Sequence, residues 1–208
     1  MAIAAGLLAA FAATGVGLVA FTELSTRERI AANERAYLMR TLNEIVPAEA
    51  HDNDMFSDTI EVSDVELLGP PEAITVFRAF SGGRPVAVIL TPIAPDGYSG
   101  AIKLLVGIAM DGRLTGVRVT SHRETPGLGD GIEAARSDWI LGFDGRSLDD
   151  PPIGRWAVRR DGGDFDQFTG ATITPRAVVK AVSNALLYFE KNGQALFAPQ
   201  TNIGKTIQ

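Results

Sequence analysis

Residues 101–122 read AIKLLVGIAMDGRLTGVRVTSH. Two apolar, β-branched runs flank Asp111-Gly112, a pair that favours the tight turns joining antiparallel strands. The segment is predicted to be a β-hairpin with a type I′ turn at Asp111-Gly112. A second hairpin precedes it, AITVFRAF (73–80) and RPVAVILTPI (84–93) around Ser81-Gly82-Gly83. Between the hairpins, APDGYSG (94–100) reads as a turn, with Pro95 fixing φ and Gly97 and Gly100 permitting positive φ. Further on, RETPGLGDGIEAARSDWILGF (123–143) is Gly-rich and then helical in pattern, and WAVRR (156–160) reads as a short strand. Residues 175–190 carry the clearest helical stripe, Ala177, Val178, Ala181, Val182, Ala185, Leu186 and Phe189. Thr174 is its expected N-cap, and Pro175 suits the first turn. Antiparallel hairpins with helices set apart from them predict an α+β fold, not a doubly wound sheet.

The amino end is different in kind. MAIAAGLLAAFAATGVGLVAFT, residues 1–22, has no charged side chain. At about 1.5 Å per residue it spans a bilayer core of roughly 30 Å. Ala5, Gly6, Gly15 and Gly17 suit close helix packing in lipid. The stretch lacks a basic start and a clear small-residue cleavage site, so it reads as a retained transmembrane anchor and not as a signal peptide. Residues 23–50 read as a membrane-exit helix and linker, with Ile30, Tyr37, Leu38, Leu42 and Ile45 at helical spacing and Pro47 as the stop. Residues 51–208 form the expected soluble domain. Arg27, Arg29, Arg35 and Arg40 follow the anchor, and by the positive-inside rule alone they would place that domain in the cytoplasm.

Composition excludes several functions. The net charge is −6 and the basic residues do not cluster, so nucleic acid is not an expected partner. With no cysteine, disulfides, thiolate iron–sulfur ligation and covalent c-type haem are excluded. With two histidines, no metal site is expected. Redox chemistry would need an organic cofactor.

Chemistry concentrates in DFDQFTGATITPRAVV, residues 164–179. Gly170 and Ala171 let a ligand approach the backbone. The helix start that follows offers unpaired N–H groups and a positive dipole end, which suit a phosphate. Thr169, Thr172 and Thr174 place three hydroxyls beside that point. On this local chemistry two readings stay open, a plain helix cap or an anion site. A hydrolase is not expected, because no base or oxyanion site is placed near a hydroxyl; His122 beside Arg123 has no such partner.

The run Asp166-Gln-Phe-Thr169-Gly170-Ala171-Thr172 resembles the Asp-x-x-(Ser/Thr)-Gly-Ala-Thr motif of proteins carrying covalent FMN. With APDGYSGAIKLLVG, HRETPGLGDGIE and SDWI, the chain is similar to the G subunits of Rnf electron-transport complexes. The C subunit of sodium-pumping NADH:quinone reductases shares the flavin motif. The resemblance implies FMN joined as a phosphoester to Thr172 by a periplasmic flavin transferase, and no catalytic residue of the chain's own. It implies a pocket including Thr169, Gly170, Ala171, Thr174, Glu124, Thr125, Gly127, Leu128, Tyr98 and Ser99. Gly127, Gly129 and Gly131 would bring backbone close to a flat ring.

It further implies a single-pass protein of the bacterial inner membrane with its C-terminal domain in the periplasm, opposite to the positive-inside reading. The expected partners are the lipid bilayer and the other membrane, iron–sulfur and flavin subunits. The expected function is electron relay between ferredoxin and NAD coupled to ion movement. The alternative is an anchored regulatory or ligand-binding module without redox turnover.

Overall fold

The computed structural model describes residues 2–69 and 71–198; residues 199–208 of the expected domain lie outside the described part. The chain divides into two compact units, Met1–Thr41 and Leu42–Gln208. From Ala2 on the first is helix, part of α1 (Ala2–Ile45), which runs without a break past Thr22 and Glu23. Its apolar side chains, among them Leu8, Phe11, Val16 and Phe21, are exposed. The mean hydropathy of its most apolar window is 2.1, and the helix is long and apolar enough to cross a bilayer.

The second unit is built on one antiparallel sheet. Its strands are β1 (Thr59–Val62), β2 (Ile74–Ser81), β3 (Arg84–Leu90), β4 (Ile93–Ala94), β5 (Ile102–Ala109) and β6 (Leu114–Ser121). β1 pairs β2, β2 pairs β3, and β5 takes β3, β4 and β6. Pro92 breaks the run read as a single strand into β3 and β4. Its carbonyl still accepts the Leu104 N–H at 3.0 Å, so the two strands share one edge of β5. β1, four residues of mixed exposure, carried no clear sequence signal.

Both hairpins form. Gly82 and Gly83 both have positive φ between Ser81 and Arg84, as a two-residue turn needs. At Asp111-Gly112 only Gly112 has positive φ, so the expected type I′ turn is corrected. The Gly112 N–H donates to Ala109 O at 2.9 Å, and the Ala109 N–H donates to Arg113 O at 2.8 Å. This is a three-residue loop with Gly in the left-handed position.

The sheet is covered on both faces, as the period of two along β5 requires. Ile102, Leu104, Val106 and Ile108 face α2 (Ile173–Leu196), which contributes Val178, Val182, Ala185, Leu186 and Phe189 to the same core. On the other face, Ile45 rests on the cross-strand pair Gly107 and Gly116; a Cβ on Gly116 would lie 3.4 Å from the Ile45 Cα.

The segment between β6 and α2 is less regular than its sequence pattern suggests. Within the stretch read as Gly-rich and then helical, Asp138–Phe143 is a 3-10 helix. WAVRR is not a strand: Val158 makes one isolated bridge to Phe165, and Arg159–Asp161 is a 3-10 turn. Rings replace regular structure here. Phe143 stacks on Phe165 at 4.7 Å, Trp156 lies 4.9 Å from Phe165, and Trp139 touches Phe143 edge-on at 5.3 Å. Each such pair contributes ~1 kcal/mol beyond its buried area. The buried Trp156 N–H finds Pro151 O at 2.9 Å.

Candidate functional site

Three connecting segments meet at the N-terminal end of α2: the turn after β4, the loop after β6, and residues 166–172. They enclose a cleft of about 230 Å³ lined by Tyr98, Glu124, Thr125, Leu128, Gly129 and the run Gly170–Thr174. Tyr98, Leu128 and Ile173 are the exposed apolar residues at this cleft.

Glu124 ties the segments together. It is 4% exposed, so its carboxylate requires hydrogen-bond donors. Oε1 accepts the Ser99 N–H at 2.9 Å, and Oε2 accepts the Thr174 hydroxyl. Its own backbone N–H donates to His122 Nδ1 at 3.0 Å, while His122 Nε2 meets Glu133 Oε1 at 2.7 Å. A glycine makes room for it: a Cβ on Gly129 would lie 2.8 Å from Glu124 Cβ and 3.0 Å from Thr174 Oγ1. A Cβ on Gly97 would lie 2.2 Å from the Gly100 carbonyl oxygen and 3.0 Å from Glu124 Oε1. Gly97 is therefore glycine for space and not for positive φ, which corrects the sequence reading of that turn.

α2 begins at Ile173, earlier than expected, and Thr172 is its N-cap residue. The assignment of Thr174 as N-cap is corrected for a long-range reason. Its hydroxyl serves a buried carboxylate fifty residues away in sequence, and Thr174 itself is 1% exposed. Thr172 makes no side-chain capping bond. Its carbonyl accepts the Arg176 N–H at 3.3 Å, and Pro175 has no N–H to lose. The backbone N–H groups of Ile173 and Thr174 thus fall among the unpaired donors of the first turn.

Ion pairs pin the loop that leads into α2. Arg176 donates to Asp161 at 2.6 and 2.9 Å. This hydrogen bond holds the exposed Asp161 carboxyl below its ordinary range and raises Arg176. Asp166 pairs with Arg159 at 3.0 Å, and its carbonyl accepts the Trp139 indole N–H at 2.7 Å. Phe168 sits over Gly131, where a Cβ would lie 3.1 Å from the ring, and packs against Trp139. The flat ring close to Gly131 is therefore the protein's own.

Of the expected pocket residues, Tyr98, Glu124, Thr125, Leu128, Gly170, Ala171, Thr172 and Thr174 line the cleft. Ser99, Gly127 and Thr169 do not. Ser99 contributes its backbone N–H to Glu124, Gly127 turns the loop at φ +76° with its N–H on Asp130 at 2.7 Å, and Thr169 is exposed. Gly129 and Ile173 join the lining; Ile173 could have been found from its place directly after Thr172. Lys180 pairs with Asp96 at 2.8 Å on the surface.

Gly170 has φ +82°, and a Cβ there would meet only Leu128 Cδ2, at 3.6 Å. Gly170→Ala is expected to cost about 1–2 kcal/mol through left-handed strain alone. A denaturation midpoint unchanged from the parent would show that the loop tolerates a different backbone.

The donors present fit a phosphate-bearing flavin. An uncommitted hydroxyl stands at a helix N-terminus, above a bare Gly-Ala step, beside a cleft with apolar and polar walls. Residues 97–187 match the family model described as the FMN-binding domain, and residues 1–45 match the RnfG N-terminal region. A Vibrio atlanticus protein, named as the G subunit of an ion-translocating oxidoreductase complex, is 50% identical over 95% of this chain and 94% of its own. A Pseudomonas aeruginosa protein of the same name is 51% identical over 95% and 92%. The crystal structure of Shewanella oneidensis NqrC shares the fold, with a TM-score of 0.50 and 24% identity over 73% of this chain and 74% of that one. The chain belongs to the G-subunit family of ion-translocating oxidoreductase complexes and carries that family's FMN-binding domain.

Proposed function

We propose that Thr172 carries FMN as a phosphoester and that the chain relays electrons through it as the membrane-anchored flavoprotein of an Rnf-type complex. The bound flavin supplies the electron-carrying chemistry. The chain's residues attach, orient and shield it. The observation that carries the reading is Thr172 itself, the N-cap of α2 with no capping bond, on the lip of the cleft.

Thr172 would supply the hydroxyl for attachment, and a phosphodiester there would keep one negative charge, which the Ile173 and Thr174 N–H groups and the α2 dipole would stabilise. Leu128, Tyr98 and Ile173 offer apolar contact, and Thr125 and Glu124 offer polar groups. At about 230 Å³ the cleft falls below the ~300–1,000 Å³ usual for enclosing sites, so part of the ring stays open to a redox partner. The partners in this reading are the other membrane, iron–sulfur and flavin subunits. The test is a fluorescent band on a denaturing gel, followed by a peptide mass map. Flavin mass on the peptide holding Thr172 supports the reading; a wild-type chain expressed with a transferase and carrying no flavin overturns it.

We also assign the domain after α1 to the periplasmic side of the inner membrane. The resemblance supports this, as does the need for a flavin transferase acting there. Protease added to intact spheroplasts is expected to cut beyond residue 45; protection until lysis would place the domain in the cytoplasm.

A further inference from the structure

Resting on the FMN reading, we infer that Glu124 is a charge-setting residue of the cleft: its buried carboxylate opposes negative charge on the bound flavin and holds the flavin's reduction potential low. The first observation is burial without a cation. Glu124 is 4% exposed and lines the cleft, and among the described residues it forms no ion pair. Its two oxygens take one N–H and one O–H, both neutral donors. His122 turns its acceptor nitrogen Nδ1 toward the Glu124 backbone and its other nitrogen to Glu133.

The second observation is that the carboxylate cannot swing away. Ser99 and Thr174 hold its two oxygens, and Gly129 packs bare against its Cβ. An aliphatic side chain at this position would leave the Ser99 N–H and the Thr174 hydroxyl without their acceptor, so the site is shaped for an oxygen-bearing side chain.

Each electron a flavin accepts adds negative charge unless a proton follows. A fixed carboxylate beside the ring raises the free energy of the charged reduced form relative to the oxidised one. The positive end of α2 acts in the opposite sense, but the phosphate of a diester at Thr172 occupies it. Glu124 therefore acts on the ring.

The test uses the full chain with its covalent flavin. Glu124→Gln keeps the shape and can keep both hydrogen bonds, since Thr174 can turn its hydroxyl to accept. Dye-coupled redox titration at fixed pH is expected to show a shift to more positive potential, about tenfold in the two-electron equilibrium or ~30 mV. Thr174→Val loosens the site but leaves the charge, and is expected not to shift the potential upward. A merely structural role would move both variants the same way. A Glu124→Gln protein that holds its flavin at an unchanged or lower potential overturns the inference. A measurement on the wild type stands independently of any variant. The imide proton of the oxidised flavin is expected to ionise at higher pH than in free FMN; ionisation at or below the free value also overturns the inference. Absence of covalent flavin from the wild type would instead defeat the function proposed above.

Discussion

Thr172→Ala is expected to abolish the fluorescent band completely while the domain stays folded. Three hydroxyls stand close together in sequence, but only one is both at the cleft and uncommitted. Thr169 lies outside the lining, and the Thr174 hydroxyl is buried and given to Glu124. Removing the Thr172 side chain breaks no capping bond, so stability is expected to change by no more than about 0.5 kcal/mol. Thr172→Ser keeps a nucleophilic oxygen and is expected to keep the band. Circular dichroism and melting of the detergent-solubilised chain check the fold. A band that survives Thr172→Ala, with flavin mass on Thr169 or Thr174, would assign the attachment elsewhere.

Gly107→Val is expected to destabilise the second unit by about 3 kcal/mol, at the upper end of overpacking costs. Valine is a better strand residue than glycine, so intrinsic preference alone would predict a gain. The cost comes from the other face of the sheet. A Cβ at Gly107 falls inside the van der Waals shells of Ile45 Cγ2 and Thr115 Oγ1. Ile45 is 1% exposed and has no free space to retreat into. Against a typical total of ~5–15 kcal/mol, this is a large fraction. Ile45→Ala in the same chain removes the colliding methyl and is expected to recover part of the loss, a non-additivity that a double-mutant cycle reads directly. Thermal unfolding equal to wild type would show that Ile45 does not seat on Gly107.

The hairpins and α2 were legible because their signals are local. β5 and β6 are apolar runs on either side of Asp111-Gly112, Gly82-Gly83 needs positive φ at both positions, and the stripe from Ala177 to Phe189 repeats at helical spacing. The cluster of candidate residues was legible through the motif around Thr172. What failed depended on contacts distant in sequence. Thr174 looks like a cap until Glu124, far away in the chain, claims its hydroxyl. Gly97 and Gly129 read as flexible or ligand-facing, yet Gly129 is small because Glu124 needs the space, and Gly97 because the Gly100 carbonyl closes over it. WAVRR has the composition of a strand, but Trp156 and Val158 are drawn into a ring cluster and find no ladder to join. His122 opens the HRETPGLGDGIE run, but its service to the Glu124 backbone is visible only in three dimensions.

The ring cluster has an optical consequence. The chain has two tryptophans, and both lie in this cluster. Trp139 touches Phe168 at 5.2 Å and holds the carbonyl of Asp166, a few residues before Thr172. Indole emits where flavin absorbs, so a flavin held as proposed would accept energy from this cluster. The protein's own ultraviolet emission would then gauge cofactor loading, with no label attached and no residue replaced.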